Sequence, residues 1–568
     1  MSDMKRTFMA GLVVAGILLL MPFYFNLIGY NNLPSDSDSN NLPQSKQEEK
    51  KALFDVPKKE ITVEPSSAAV GFGMPEKQYV ISNNRFSAVL SNVSGGSLLS
   101  YELDPSVTQF RGGYNEEGQY DALAPVSLIL NTQKKCAPCI QTVDNNGNTI
   151  VHEAPFELVS SSGLGSDPDV APRLVFESVH IKDFVIQKTV TFPRDSFVIN
   201  HHIEIKKNKG GINSVGLVWD KGLRNTEKNI PDEVSYSLSS VGMNKTIENI
   251  TLTPTSISDV VEKKTYNNAD WAAIRNKYFI VALVPKNPVT ASHASSTFML
   301  KEETLVPSYA TSINSIHSSV LDCDIFLGPL DVDEINKLDT YLDRIMNFGW
   351  FLLQPFSRSV LWLLKFLHGF GLNYGIILIL FAFIVRFVTG PLTKKSHKST
   401  QKMQELQPQL QKLQQKHKKN PQRLNQETVK LYKESGTNPL GGCFPMLLQM
   451  PLLFSLFIVF RSTIEFRGAP FFAWISNLSQ PDTIINLPVY IPLYGDQIAF
   501  LPILLGVTMF LSQRISMSAM DPKQKPFMYI MSVFFYLIFN SFPSGLNLYY
   551  VVYNILNYMQ QKTLKQSS

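Results

Sequence analysis

Cysteine is scarce: Cys136, Cys139, Cys323 and Cys443 are the four in 568 residues, too few for a disulfide scaffold. Charge is scarce as well, with 17% of residues charged against 44% hydrophobic, a balance that excludes a disordered chain. No H-E-x-x-H or Walker A pattern occurs, and no G-x-S-x-G, so zinc proteolysis and nucleotide hydrolysis have no support. Long apolar runs are missing from residue 36 to about 340, where Ser, Asn, Val and Thr dominate, and are crowded into the last 200 or so residues. That division excludes a soluble cytosolic enzyme and a simple transporter alike.

The apolar runs predict membrane spans. Thr7 to Ser35 carries no charge, Lys5 and Arg6 precede it and Asp36 and Asp38 follow, so it should insert with its N-terminus in the cytoplasm. No small-x-small cleavage site follows, which favours a retained anchor. Phe366–Val385, Ser435–Phe460 and Gln497–Gln513 lack Asp, Glu, Lys and Arg, and Pro526–Gln561 is split by Phe542-Pro543-Ser544-Gly545 into two short helices. The charges between the runs test the orientation. Residues 391–434 hold eleven Lys or Arg against three Glu, a net +8, whereas 461–496 is near neutral. Lys523, Lys525, Lys562 and Lys565 flank the final pair on one side, so both termini are expected in the cytoplasm and residues 31 to about 365 outside.

The outer region begins as a Ser-, Asn-, Pro- and Lys-rich tether and becomes a text of short alternating segments between Gly, Asn, Asp and Pro turns. Phe197, Ile199, His201, Ile203 and Ile205 share one strand face, and about 250 residues of this kind predict a large antiparallel β-sandwich. His201 and His202 point to opposite faces and cannot hold one metal together; both read as partly exposed strand histidines. Cys136 and Cys139 lack the strand-then-helix setting of a redox C-x-x-C, and a local disulfide is the better reading.

One charge stands out in the membrane half. Arg386 follows 20 uncharged residues and precedes Lys394 by eight, about 12 Å of helix rise inside the cytoplasmic end. Left facing lipid it would cost on the order of 2.5 kcal/mol, unless its long stem snorkels to the headgroups. Asn547, Tyr550, Asn554, Asn557 and Gln561 recur at steps of three and four in the last span, and Gln449 lies within the third. Interhelical hydrogen bonding is the plain account of such a stripe. Together with a buried cation it points instead to a water-filled groove that presents positive charge to something acidic. In the basic loop, Met403, Leu406, Leu410 and Leu413, then Leu424, Thr428 and Leu431 after Asn420-Pro421, predict an amphipathic helical hairpin. Its lysines are either a solvated face beside anionic lipid or a contact for an RNA-bearing partner.

F-I-V-R (383–386) with G-P-L-T-K (390–394), N-P-L-G-G-C-F-P (438–445) with L-Q-M-P (448–451), L-P-I-L-L-G-V-T-M-F (501–510) and F-P-S-G-L (542–546) stand in an order that resembles the YidC family of membrane-protein insertases, related to the Oxa and Alb proteins. The outer region resembles the Gram-negative members, which implies a mutarotase-like β-supersandwich in the periplasm. The resemblance further implies an inner-membrane insertase and chaperone for nascent membrane proteins, working alone or with the Sec translocon, with no cofactor, no metal and no covalent chemistry. Its substrate groove would comprise Arg386 with Tyr549 or Tyr550, Gln449, Asn547 and Asn554. Met446, Met450, Phe454, Phe534 and Phe535 would form an apolar slide for the entering segment. Lys412, Lys416, Lys418 and Lys419 would meet the ribosome or a targeting receptor, with no sequence-specific nucleic-acid contact. The long basic tail of some relatives has no counterpart, since Lys562 and Lys565 are the last charges.

The expected layout is an anchor at 1–30, a flexible linker at 31–75, the sandwich at 76–340 and an interfacial amphipathic helix at 341–366. Spans follow at 367–390, 439–461, 497–513, 527–542 and 545–562, five of six forming the core. The basic hairpin is 391–438, the outer loop 462–496, the cytoplasmic loop 514–526 and the cytoplasmic tail 563–568. A solute or lipid transporter with a periplasmic sensor is the competing reading; it predicts repeated halves, and the spans show no such symmetry. A membrane-anchored sugar enzyme would need an acid/base pair in the sandwich that the sequence does not identify.

Overall fold

The computed structural model describes residues 74–566, apart from 116–117, 130–135, 164–169, 180, 182, 207–210, 221, 252–257, 300–304, 419, 437–443, 492–493 and 518–524. The expected anchor and nearly all of the linker therefore lie outside the described residues. Among those described, the chain divides into two compact units, with the boundary in sequence between Met346 and Asn347.

The first unit is built of antiparallel strands. A nine-stranded sheet runs in the order 246–250, 238–243, 271–275, 279–285, 320–329, 198–206, 185–191, 173–177 and 157–162. A six-stranded sheet runs 258–269, 289–299, 305–315, 212–219, 139–144 and 149–152 and packs against it. Alternation in the sequence becomes alternation in burial: Ile199, His201, Ile203 and Ile205 are all buried on the strand Val198–Lys206. Trp219, Trp271, Phe176, Phe192 and Phe279 fill the core. Gly242 lies opposite Trp271 in the ladder, and a Cβ there would collide with the indole, so only glycine admits that tryptophan. Cys136 and Cys139 are joined by a disulfide. His202 is half exposed and pairs with Asp322 at 2.7 Å, while His201 is 3% exposed, a correction to its expected partial exposure.

The second unit is helical: α1 (Gln354–His368), α2 (Tyr374–Lys416), α3 (Pro421–Glu434), α4 (Phe444–Ser462), α5 (Phe500–Met517), α6 (Lys525–Phe539) and α7 (Ser544–Gln566). The expected interfacial element at 341–366 starts late. Residues 341–345 make a 3-10 turn that buries Leu342 and Ile345 in the first unit, and the helix itself begins at Gln354. It is amphipathic: Leu361 and Leu364 are buried, whereas Phe356, Trp362 and Phe366 are exposed, the last two with their rings stacked.

The boundary expected at Pro391 is absent. Asn373 caps α2 by accepting from the Gly375 N–H at 2.8 Å, and the helix then runs through Pro391 and Pro408 for 43 residues, about 64 Å. Proline at 391 removes one backbone bond, which a helix of that length absorbs. Leu406 and Leu424 are buried at the seam where α3 folds back, after Asn420 caps α3 and Pro421 opens it. Among the described residues, the segment 374–394 alone is long and apolar enough to cross a bilayer, with shorter apolar stretches at 450–462 and 500–513.

The outer loop expected at 462–496 contains a hairpin, Thr483–Ile491 with Gly495–Ala499, which moves the start of α5 from 497 to Phe500. Polar side chains stitch this loop to the α6–α7 turn. Asn540 donates to the Tyr494 and Gln497 carbonyls at 2.8 and 2.6 Å and accepts from the Ala499 N–H at 3.0 Å. Asp482 accepts from the Leu501 N–H at 2.8 Å, capping α5, and from the Trp474 indole at 3.1 Å. Glu465, buried nearby, pairs with Lys365 at 3.5 Å.

Candidate functional site

Helix α7 packs most extensively on α5 and α2. Its residues 549, 553 and 560 recur at steps of four and seven and face α2: Tyr549 meets Phe381 with ring centroids 5.6 Å apart, and the Gln560 amide donates to the Gly390 carbonyl at 3.4 Å. Between those contacts sits Arg386, 8% exposed although flanked by Phe387 at 85% and exposed Val388. Its guanidinium carbon lies 5.6 Å from the centre of the Tyr553 ring. Nε and Nη2 of Arg386 have no hydrogen-bond partner among the described residues. An arginine that is buried by helix packing, with two donors unpaired among the described residues, has hydrogen-bonding capacity left for an acceptor group.

The residues singled out from the sequence divide into several locations. Tyr549 is fully buried between Phe381 and Tyr553, whereas the Tyr550 ring is edge-on to Phe539 of α6 at 5.7 Å. Asn547 sits at the α6–α7 turn, its amide donating to the Phe539 and Phe542 carbonyls at 3.1 and 3.3 Å, two turns of helix from Tyr553. Asn557 donates to the Ser512 hydroxyl of α5 at 2.8 Å, and Gln561 donates back to Asn557 at 3.3 Å. Asn554 is half-buried on the same face. The polar stripe 547/550/554/557/561 is thus turned roughly 100° from the face that meets Arg386, and serves mainly α5 and α6.

Met450, Phe454, Phe534 and Phe535 are half-buried on α4 and α6. Lys412 and Lys416, in the last turns of α2, and Lys418 just beyond its end are exposed. The side chains of Met446 and Gln449, and residue Lys419, lie outside the described residues. Tyr553 was not among the sequence candidates. Its signal was available: it follows Tyr549 by four and precedes Gln560 by seven, which puts it on the face opposite an isolated arginine.

No group of three or more His, Cys, Asp or Glu that could hold a metal occurs among the described residues. In the sandwich, the most perturbed acid is Glu233, on the short helix Ile230–Val234. Burial and the neighbouring Glu227 raise its pKa to about 8. Its carboxyl accepts from the Thr226 N–H and hydroxyl and from the Glu227 N–H, a closed knot without a free face.

Comparison with known proteins gives consistent results for both units. Residues 114–363 match the family described as YidC periplasmic domain, and residues 366–568 match that described as 60Kd inner membrane protein. The membrane protein insertase YidC of Prosthecochloris aestuarii is 35% identical over 567 residues, covering 98% of this chain and 94% of that protein. The insertase of Chlorobium phaeovibrioides is 32% identical over 581 residues, with the same coverage. A crystal structure of an active YidC insertase with its first transmembrane domain resolved covers 89% of this chain and 94% of that one, at 18% identity and a TM-score of 0.34. On the strength of the two full-length relatives, the chain belongs to the YidC family of membrane protein insertases, non-enzymatic proteins of the inner membrane with a periplasmic β-sandwich domain.

Proposed function

We propose that this insertase works through a hydrophilic groove centred on Arg386, into which the acidic extramembrane tail of a nascent chain is drawn while its apolar segment enters the bilayer. The observation that carries this reading is the buried guanidinium whose Nε and Nη2 have no partner among the described residues, on the helix segment 374–394 that is long enough to span. In a site of reduced dielectric such a cation attracts a carboxylate more strongly than it would in water. Each acidic residue would otherwise meet a cost of about 2.5–3.5 kcal/mol at the bilayer centre. Transfer of the apolar segment, at roughly 25 cal/mol per Å², supplies the driving force. No nucleotide is needed.

Tyr549 borders Arg386 in that groove; Tyr550 and Asn554 line the adjoining face of α7, Gln449 is a further polar member, and Asn547 holds the α6–α7 turn. Met446, Met450, Phe454, Phe534 and Phe535 form the slide. The chain crosses the membrane six times, with five spans in the core and both termini in the cytoplasm, in keeping with its net +8 loop at 391–434. The periplasmic domain is of the mutarotase-like supersandwich kind, and carries no sugar chemistry. The insertase acts alone or beside the Sec translocon, and the basic hairpin meets the ribosome or its receptor.

The test uses paired single-spanning substrates, one with an acidic tail and one with that tail neutralised, offered to purified protein in liposomes. Arg386→Lys is expected to retain most insertion. Arg386→Ala should lose the acidic substrate by at least about tenfold and the neutral one much less. Normal insertion of both by the Ala variant would overturn the groove.

A further inference from the structure

We infer that Tyr553 is the positioning residue of Arg386, and that it turns the guanidinium so that one edge, the Nε–Nη2 fork, is presented to a single carboxylate. The inference rests on the groove reading above and specifies its ligand. Nε and Nη2 of the guanidinium are buried without a partner among the described residues, and the Tyr553 ring lies 5.6 Å from the guanidinium carbon, which leaves the Nε–Nη2 edge for a ligand. The choice matters chemically. The Nε–H and one Nη2–H are parallel donors on the same edge, spaced for the two oxygens of one carboxylate.

What keeps that edge free is a chain of rings. Phe381 stands on α2 five residues before Arg386, and Tyr549 packs against it at 5.6 Å. Tyr553 stacks on Tyr549 at 5.9 Å with the rings inclined by 26°, and offers its own face to the Arg386 guanidinium at 5.6 Å. The path leaves α2, crosses to α7 and returns to α2. A flexible side chain with four rotatable bonds is thereby held at its far end by a ring face. The ring attracts the cation without occupying any of its donors. Both substrate-facing donors are spared.

The ligand class follows from the fork. An Asp or Glu side chain of the nascent tail satisfies both donors at once and in one plane, which a backbone carbonyl cannot do. Discrimination between acidic and neutral tails should therefore depend on how the charge is aimed as well as on its presence.

The experiment uses the full-length protein in liposomes with the paired substrates, scored by protease protection of the translocated tail. Tyr553→Leu is expected to lower insertion of the acidic substrate about tenfold and to leave the neutralised one within about twofold. Tyr553→Phe, which keeps the ring, should recover most of that loss. Combined with Arg386→Lys, a point charge with no fork to aim, Tyr553→Leu should add little. Equal loss of both substrates in Tyr553→Leu, uncorrected by Tyr553→Phe, would assign the residue to packing alone and overturn the inference. So would wild-type handling of the acidic tail by Tyr553→Leu while Arg386→Ala still discriminates, and in that case the groove stands without its positioning residue. If Arg386→Ala inserts both substrates normally, the groove reading itself falls.

Discussion

Lys188 of the sandwich and Arg386 of the helical bundle are both buried cations, and their surroundings treat them in opposite ways. Lys188 is wholly enclosed on the strand Val185–Thr191; its Nζ donates to the Ser94 carbonyl at 3.2 Å, and burial lowers its pKa to about 7. It lies near His201, whose pKa is held well below the usual histidine range by burial and by Lys188. Burial makes those groups give up their protons more readily, which lessens its cost. Arg386 has no such exit, because a guanidinium stays charged in proteins. The difference lies in what burial can do to each group: Lys188 can be relieved of its charge, and Arg386 cannot.

The sharpest way to break that comparison is to exchange the chemistry. Lys188→Arg places a permanent charge where a lysine can shed its proton, and should destabilise the sandwich by roughly 3–5 kcal/mol, read as a collapse of protease resistance in the purified chain. Arg386→Lys at the other site should leave the fold intact. Stability of Lys188→Arg equal to wild type would remove the distinction.

A milder change tests the proton itself. The folded-state pKa of Lys188, about 7, lies below its ordinary value of 10.5, so between those limits the unfolded chain binds more protons than the native one. Its contribution therefore improves as pH rises from 7 to 10.5, by about 1.4 kcal/mol per unit, and is at its least favourable below 7. Lys188→Met removes that slope, and its stability relative to wild type should decline as pH is raised from 7 to 10 in denaturant titrations. Parallel profiles would show that the lysine is charged in the native state.

Smaller effects are expected away from buried charge. Reversing Lys412, Lys416, Lys418 and Lys419 to Glu should weaken ribosome or receptor binding severalfold at low ionic strength and less at high salt, since these contacts would be exposed and screened. Unchanged co-sedimentation at low salt would make the run a solvated face. Smallest of all should be the loss on deleting residues 76 to about 320 with the anchor kept: insertion within about twofold of wild type, because the groove, the slide and the basic hairpin all lie beyond that stretch. Failure of the stably expressed deletion to support growth in a depletion strain would tie the sandwich to insertion.

Much of this architecture was legible beforehand, for identifiable reasons. Strand faces such as Ile199 to Ile205 announce themselves because period-two alternation is enforced by burial on one side. The helix through Pro391 was less legible, since a local breaker is outweighed by a 43-residue context. The hairpin at 483–499 was hidden by its exposed apolar residues, Ile484, Ile485 and Val489, which read as loop between two spans. At the site, Arg386 was visible as a charge out of place. Its partner was not, because the polar stripe drew attention to a face of α7 about 100° away, and a tyrosine is easily counted as lipid-facing aromatic. Asn547 looked like part of the groove and instead ties down the α6–α7 turn.

The unbroken α2 also has a mechanical meaning. Thirty residues separate Arg386 from Lys416 at its far end, about 45 Å of continuous rod. A small sideways push on the basic hairpin is therefore a torque on the segment that carries the guanidinium, with the spanning part of the helix as the short arm. Whatever docks on the hairpin holds a handle.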